Sequence, residues 1–233
     1  MEECSPSGKS TDRWQRIDPE RWDAVYVVGD VHGCLNALES LLERLDIGER
    51  DLLVFVGDLI RKGPESKRVL ERVIDSPQMY SVRGNNEQKL LDGTATLPGF
   101  GERERAWLES LPVGITFDDN VVVHGGIDPE RAPRAHETDE LLTMRSVDGD
   151  GYDGPFWFDS YEGPPRVFFG HTVLETPLER EWAVGLDTGC VYGGSLTAYD
   201  LYRERFVSVE TAEHESRPAE KFVAAQTGTE VSR

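Results

Sequence analysis

The sequence predicts an α/β fold of two facing mixed β-sheets flanked by helices, on three observations. Apolar runs of strand length alternate with segments of helical periodicity through the first half of the 233 residues. The second half turns strand-rich, and alternation followed by strand-rich sequence suits sheets packed face to face with helices outside. Extended runs also end repeatedly in Gly beside Asp, Asn or His, as expected where ligand-carrying loops leave the carboxyl ends of strands.

Taken in order, residues 24–28 read as a short buried strand, and 35–45 carry apolar residues at helical spacing. A second strand is expected over 51–56, then a helix over 64–74 that opens with Pro64 at a favoured first position. Residues 79–82 give a third strand, followed by a short helix reaching Leu91. Strands are then expected over 113–117, 121–123, 166–169, 183–186, 195–201 and 205–209, with helices over 102–110 and 138–144 between them. The domain is taken as 23–212. Residues 1–22 are expected to form a polar extension outside the core, with Trp14 and Trp22 the side chains able to pack back. Residues 213–233 mix Glu, Ser, Thr, Gly and Lys without periodicity and read as a flexible tail.

The formal charge of −19 and pI near 4.6 argue against the basic face that a nucleic-acid duplex requires, and disfavour an anionic membrane. A site for anionic substrates here needs metals or a few local cations to reverse the field. Only five basic residues are Lys, and an acidic, Lys-poor surface resembles proteins of salt-loving archaea, where salt screens self-repulsion. Cys4, Cys34 and Cys190 form no CxxC pair, and no run approaches membrane-spanning length; a cytoplasmic, reduced setting is expected. Cys34 and Cys190 read as core residues.

The informative pattern is local. Val28-Gly29-Asp30, Val56-Gly57-Asp58, Arg83-Gly84-Asn85 and Phe169-Gly170-His171 each follow an extended run, and Val123-His124-Gly125 inverts the order. Gly permits a tight turn and close backbone approach, while Asp, Asn and His supply oxygen and nitrogen ligands for divalent metals. Asp30 and His32, two apart on an extended segment, point to one side. One such pair is an ordinary turn; five, which together with His32 hold three of the chain's five histidines, point to a metal site.

These residues resemble the calcineurin-like metallophosphoesterases: GDVHG (29–33), GDLIRKGPES (57–66), RGNNE (83–87), HGGIDP (124–129), GHT (170–172) and the closing LDTGCVYGGSLTAYDL (186–201). Prokaryotic serine/threonine protein phosphatases and diadenosine-tetraphosphate hydrolases are the nearest groups. The resemblance implies a four-layer αββα sandwich holding two divalent ions, manganese first, with iron, zinc, cobalt or nickel as alternatives. It assigns Asp30 and His32 to one ion, Asp58 as a bridge, and Asn85, His124 and His171 to the second. Lys62, Arg83 and Arg145 fall at phosphate-contacting positions. The implied reaction is hydrolysis of phosphomonoesters by a metal-bridging hydroxide, as in the protein phosphatases. The alternatives are a dinucleoside polyphosphate hydrolase and a metal-retaining binding protein with little turnover. The partner is thus a phosphorylated substrate, phosphoprotein or nucleotide polyphosphate.

The chain departs from the family at one place. The usual Gly-Asn-His-Glu is here Gly84-Asn85-Asn86-Glu87, and Arg61 stands where protein phosphatases carry the Asp that orients that His. An amide does not titrate usefully, so Asn86 is not an acid. Loss of a general acid costs ~10²–10⁴-fold, least for good leaving groups, which tilts the expectation toward aryl phosphates or anhydrides. His136 is an alternative acid, although its Arg/Pro/Glu-rich setting reads as exposed. The aromatic, acidic segment 148–165 reads either as a flap, with Phe156, Trp157 or Tyr161 stacking on a base, or as a loop packed on the sheet.

Overall fold

The structure, a computed structural model, describes residues 13–147 and 151–224. One sheet has the order β11 (Arg205–Glu210), β10 (Ser195–Asp200), β2 (Ala24–Val28), β3 (Asp51–Phe55), β4 (Met79–Ser81). The other runs β1 (Trp14–Arg16), β5 (Gly114–Phe117), β6 (Asn120–Val123), β7 (Arg166–Phe169), β9 (Ala183–Gly185), β8 (Leu178–Glu179). Both are mixed: β2, β3 and β4 are parallel while β10 is antiparallel to β2 and β11, and β6, β7 and β9 are parallel while β5 and β8 run against them.

Side-chain alternation sorts the layers. Val25, Val27, Leu52 and Val54 face Ile115, Phe117, Val122 and Phe168 between the sheets. The other parity of β2 and β3, Tyr26, Val28, Leu53 and Phe55, packs with Leu38 and Leu41 of α1 (Leu35–Leu45) and Val69 and Leu70 of α2 (Ser66–Ile74). On the far side Val123, Val167 and Phe169 pack with Leu141 of α5 (Thr138–Thr143) and Trp157 and Phe158 of α6 (Trp157–Ser160). The result is the αββα sandwich, with α3 (Asn85–Leu91) and α4 (Glu102–Ser110) completing the first helical layer. The parallel strands β2, β3, β4, β6 and β7 all end where the Gly-bearing motifs begin, which brings those motifs to one rim.

The flanks differ from expectation. Residues 14–16 form an edge strand parallel to β5, with Trp14 and Ile17 buried. Three residues are too few to show a period, and burying the indole against Gly114 outweighs the polar neighbours. The described part of the C-terminal segment is also tethered: the Val223 amide donates to the Val173 carbonyl at 2.8 Å, and its side chain is buried. The helix expected from Pro64 begins at Ser66, whose Oγ accepts the Arg61 amide at 2.8 Å and closes the preceding loop. In the 148–165 segment, where 148–150 lie outside the described residues, Trp157 packs edge-on to Phe169 at 4.8 Å and Phe158 stacks on it at 5.1 Å. Phe156 stacks in turn on Phe158, and Tyr161 donates its hydroxyl to Pro165 O at 2.8 Å. Trp157 and Phe158 are buried in the core, while Phe156 and Tyr161 pack against it half-buried, so the two fully buried rings are held away from any base.

Candidate metal centre and active site

Asp30 and His32 lie just beyond β2, and Asp58 beyond β3. Ligand atoms of the three come within 4.8 Å of one another, all buried. The two oxygens of Asp58 face different histidines: Oδ2 is 3.6 Å from His32 Nε2, and Oδ1 is 3.4 Å from His124 Nε2. Asn85, the first residue of α3, places Oδ1 3.1 Å from the same His124 nitrogen. His171 stacks edge-on to His124 at 4.9 Å and donates its amide to both oxygens of Asp30 at 3.3 Å. All six predicted ligand residues thus converge. Close approach explains two of the glycines: a Cβ at Gly170 would run into Asp30, and one at Gly84 into Asp58.

The histidines are aimed from behind. His32 donates Nδ1–H to Ile60 O at 3.3 Å, His124 donates Nδ1–H to Val56 O at 2.8 Å, and His171 donates Nε2–H to Thr143 O at 3.1 Å. Each therefore turns an unprotonated nitrogen inward, the orientation that backbone carbonyls impose on metal-ligating imidazoles. Burial lowers all three pKa values, that of His32 to about 3 with the help of Lys62, so the rings stay neutral and able to bind a cation. Burial, Asp187 and Asp58 together raise the pKa of Asp30. Burial would raise that of Asp58 too, but the facing His124, His32 and Lys62 outweigh it and hold it low. Buried carboxylates and inward lone pairs on one point fit divalent metal and little else.

The backbone is strained here. Of eight non-glycine residues with positive φ among the described residues, His32, Asp58, Arg61, Lys62 and His171 belong to this rim.

The predicted phosphate-contacting residues separate. Lys62 Nζ is 2.9 Å from His32 Nε2, and Arg145 NH2 is 3.4 Å from His171 Nδ1. Arg83 points away: its guanidinium donates to Gln88 Oε1 and to the carbonyls of Glu109 and Leu111, each at 3.1 Å. Its assignment to the phosphate is corrected to a structural role, because the unpaired carbonyls at the end of α4 capture the side chain. Asn86 is locked on both sides, its oxygen accepting from Arg61 NH1 at 2.7 Å and its amide nitrogen donating to Asp58 Oδ2. His136 is buried rather than exposed: Nε2 accepts the Asp128 amide at 2.7 Å, and Nδ1 lies 3.1 Å from two backbone carbonyls. It holds a loop, and both of its ring nitrogens are engaged there.

Sequence reasoning missed three residues. Asp187 is buried beside Asp30, its Oδ1 accepting the Gly189 amide at 3.1 Å. Lys89, one turn into α3, belongs to the same electrostatic cluster as Arg61, Lys62 and Arg145; its burial and these cations lower its pKa. Its spacing of four from Asn85 was the available signal. Arg217, assigned to the tail, joins a row of cations over rings. Arg145 lies 4.5 Å over Tyr152, Arg217 lies 5.2 Å from Tyr152 and 5.0 Å from Tyr192, and Lys62 lies 5.2 Å over Tyr192. Arg217 also donates to the Tyr152 hydroxyl at 2.7 Å.

Glu87 supports the cluster. Its Oε2 accepts the amides of Asp58 and Gly84, both at 2.8 Å, and burial with Asp58 nearby raises its pKa to about 8. Glu87→Ala strands two buried amides at ~1–2 kcal/mol each, so a loss of roughly 2–4 kcal/mol is expected. Glu87→Gln keeps an accepting oxygen and should stay within about 1 kcal/mol of the parent. Urea unfolding checks both; equal losses would show that the amides do not depend on this oxygen.

A rim of Asp, His and Asn ligands above facing sheets defines a metal-dependent phosphoesterase. The chain belongs to the calcineurin-like phosphoesterases, whose family profile matches residues 24–206. It is 29% identical over 226 residues to the asymmetrical bis(5'-nucleosyl)-tetraphosphatase of Halalkalibacterium halodurans, covering 78% of this chain and 92% of that one. It is 30% identical over 212 residues to serine/threonine-protein phosphatase 1 of Salmonella typhimurium, covering 79% and 94%. A crystal structure of a candidate diadenosine tetraphosphatase superposes with a TM-score of 0.78 at 32% identity, covering 85% of this chain and 98% of that one. Among the described residues no helix is long and apolar enough to cross a membrane.

Proposed function

We propose that the chain hydrolyses phosphoanhydrides of the dinucleoside polyphosphate class. The observation that carries this reading is the Arg61–Asn86–Asp58 hydrogen-bonded row, which fills the place of a general acid with groups that give up no proton. A serine alkoxide is about as basic as hydroxide, the conjugate base of water with a pKa near ~15.7, and needs that proton. A phosphate leaving group titrates near ~6 and does not. The similarity to bis(5'-nucleosyl)-tetraphosphatases supports the same choice.

In this reading Asp30, His32 and Asp58 would hold one divalent ion, and Asn85, His124 and His171, with Asp58 beside them, would hold a second. Bound there, the metals supply Lewis-acid activation of water and of the phosphoryl oxygens. Lys62 and Arg145, on opposite flanks, grip the non-bridging oxygens and offset charge growing on them. Arg61 holds Asn86 so that its amide hydrogen stays on Asp58 and keeps that carboxylate fixed between the histidines.

The Salmonella protein phosphatase relative keeps a second reading open, hydrolysis of phosphoserine or phosphothreonine. One comparison separates them. With manganese, kcat/KM for diadenosine tetraphosphate is expected to exceed that for a phosphoserine peptide by about 10²-fold or more, the low end of what a general acid contributes. A faster phosphopeptide reaction would reverse the assignment.

A further inference from the structure

Beside the cluster lies a cleft of about 400 Å³ whose lining includes Asn85, Lys89, Asp92, Asp139, Arg145 and His171. Two helices form its walls and run in opposite senses. α3 starts at the cluster with Asn85, and at ~1.5 Å per residue Lys89 lies about 6 Å and Asp92 about 10 Å farther along. α5 ends at the cluster, where the Thr143 carbonyl accepts from His171, and Asp139 lies about 6 Å back along it. The cationic heads reach back to the metal ligands, Lys89 Nζ to within 3.2 Å of the Asn85 side-chain amide and Arg145 NH2 to 3.4 Å from His171 Nδ1, while the short side chains of Asp92 and Asp139 stay out along the walls. The far end is braced, since Gln88 takes Arg83 on its oxygen and donates its nitrogen to Asp92 at 2.8 Å.

We propose that this cleft binds the departing nucleotide, with Lys89 and Arg145 on the oxygens of its leaving phosphate and Asp92 and Asp139 accepting from its ribose hydroxyls. The proposal rests on the anhydride reading above and names the residues that serve the leaving group. Cleavage breaks the P–O bond of the anhydride, and the bridging oxygen departs with the electron pair on the nucleotide. The oxygen of water joins the other phosphorus, and the water's protons are shared between the new terminal phosphate and solvent. A fixed ammonium beside the departing oxygen answers the charge that appears there without transferring a proton. Carboxylates are the usual acceptors for a ribose diol. The order of groups along the walls matches the order a nucleotide presents, phosphate first and sugar next.

The test is calorimetric binding to the manganese-loaded protein, with ATP, inorganic tripolyphosphate and inorganic phosphate as probes. Lys89→Gln is expected to weaken ATP about tenfold or more and phosphate, which the metal site, Lys62 and Arg145 hold without Lys89, by less than about threefold. Lys89→Arg should retain ATP. Asp139→Ala should weaken ATP several-fold and leave tripolyphosphate unchanged. Equal weakening of ATP and phosphate by Lys89→Gln, or none, overturns the phosphate assignment; an Asp139→Ala effect equal on ATP and tripolyphosphate overturns the ribose assignment. Turnover of diadenosine tetraphosphate by the parent is scored separately. Its absence beside the expected binding pattern overturns the anhydride reading and leaves the nucleotide cleft standing. Its presence with no Lys89 effect overturns the cleft alone.

Discussion

Asp58→Asn is expected to abolish manganese-dependent hydrolysis of para-nitrophenyl phosphate, a fall on the order of 10³-fold or more, equivalent to about 4 kcal/mol of transition-state stabilisation. The substitution keeps the shape of the side chain and removes its charge. Each oxygen of Asp58 faces a different histidine, so one change affects both halves of the cluster. Metal content should fall with activity, and the fold should survive, because the Asp58 amide still reaches Glu87. Elemental analysis of the purified variant beside its rate checks the pair. A variant that holds manganese as the parent does and still turns over would show that the bridge lies elsewhere.

The second large effect concerns specificity. Asn86→His combined with Arg61→Asp rebuilds an acid and its orienting carboxylate where the family usually keeps them. The parent has Arg61 only 2.7 Å from Asn86, and the guanidinium would hold a lone histidine deprotonated, so the single Asn86→His change is expected to gain little. The double variant should raise kcat/KM on phosphoserine peptides by about 10²-fold relative to the parent. Its rate on diadenosine tetraphosphate should change far less. Asp is tolerated at position 61, where φ is 72°, better than most residues. Equal changes on both substrates would show that proton donation to the leaving group does not limit either reaction.

The sheets and the convergence of the six candidate ligand residues were legible because both rest on short-range rules. Alternation at 24–28 and 51–55 shows which residues face the partner sheet and which face helices, and the Gly-Asp, Gly-Asn and Gly-His pairs mark strand ends. Side-chain direction beyond a turn was not legible. Arg83 precedes Gly84-Asn85 in sequence, yet carbonyls from α4, more than twenty residues away, draw it off the site. Lys89 has no motif of its own and becomes visible only when α3 is seen to start at Asn85. Trp14 and Arg217 lie in polar flanks whose composition conceals one buried ring and one guanidinium clamped between two tyrosines. In the 148–165 segment composition showed rings but not their depth: Trp157 and Phe158 are in the core, and Tyr152, Phe156 and Tyr161 are half-buried around them.

The row formed by Arg145, Tyr152, Arg217, Tyr192 and Lys62 joins the two sides of the site. Lys62 at one end meets His32, and Arg145 at the other lines the α3–α5 cleft. The cations on the two sides of the cluster are thus tied into one run of contacts, and its middle link, Arg217, comes from the C-terminal segment.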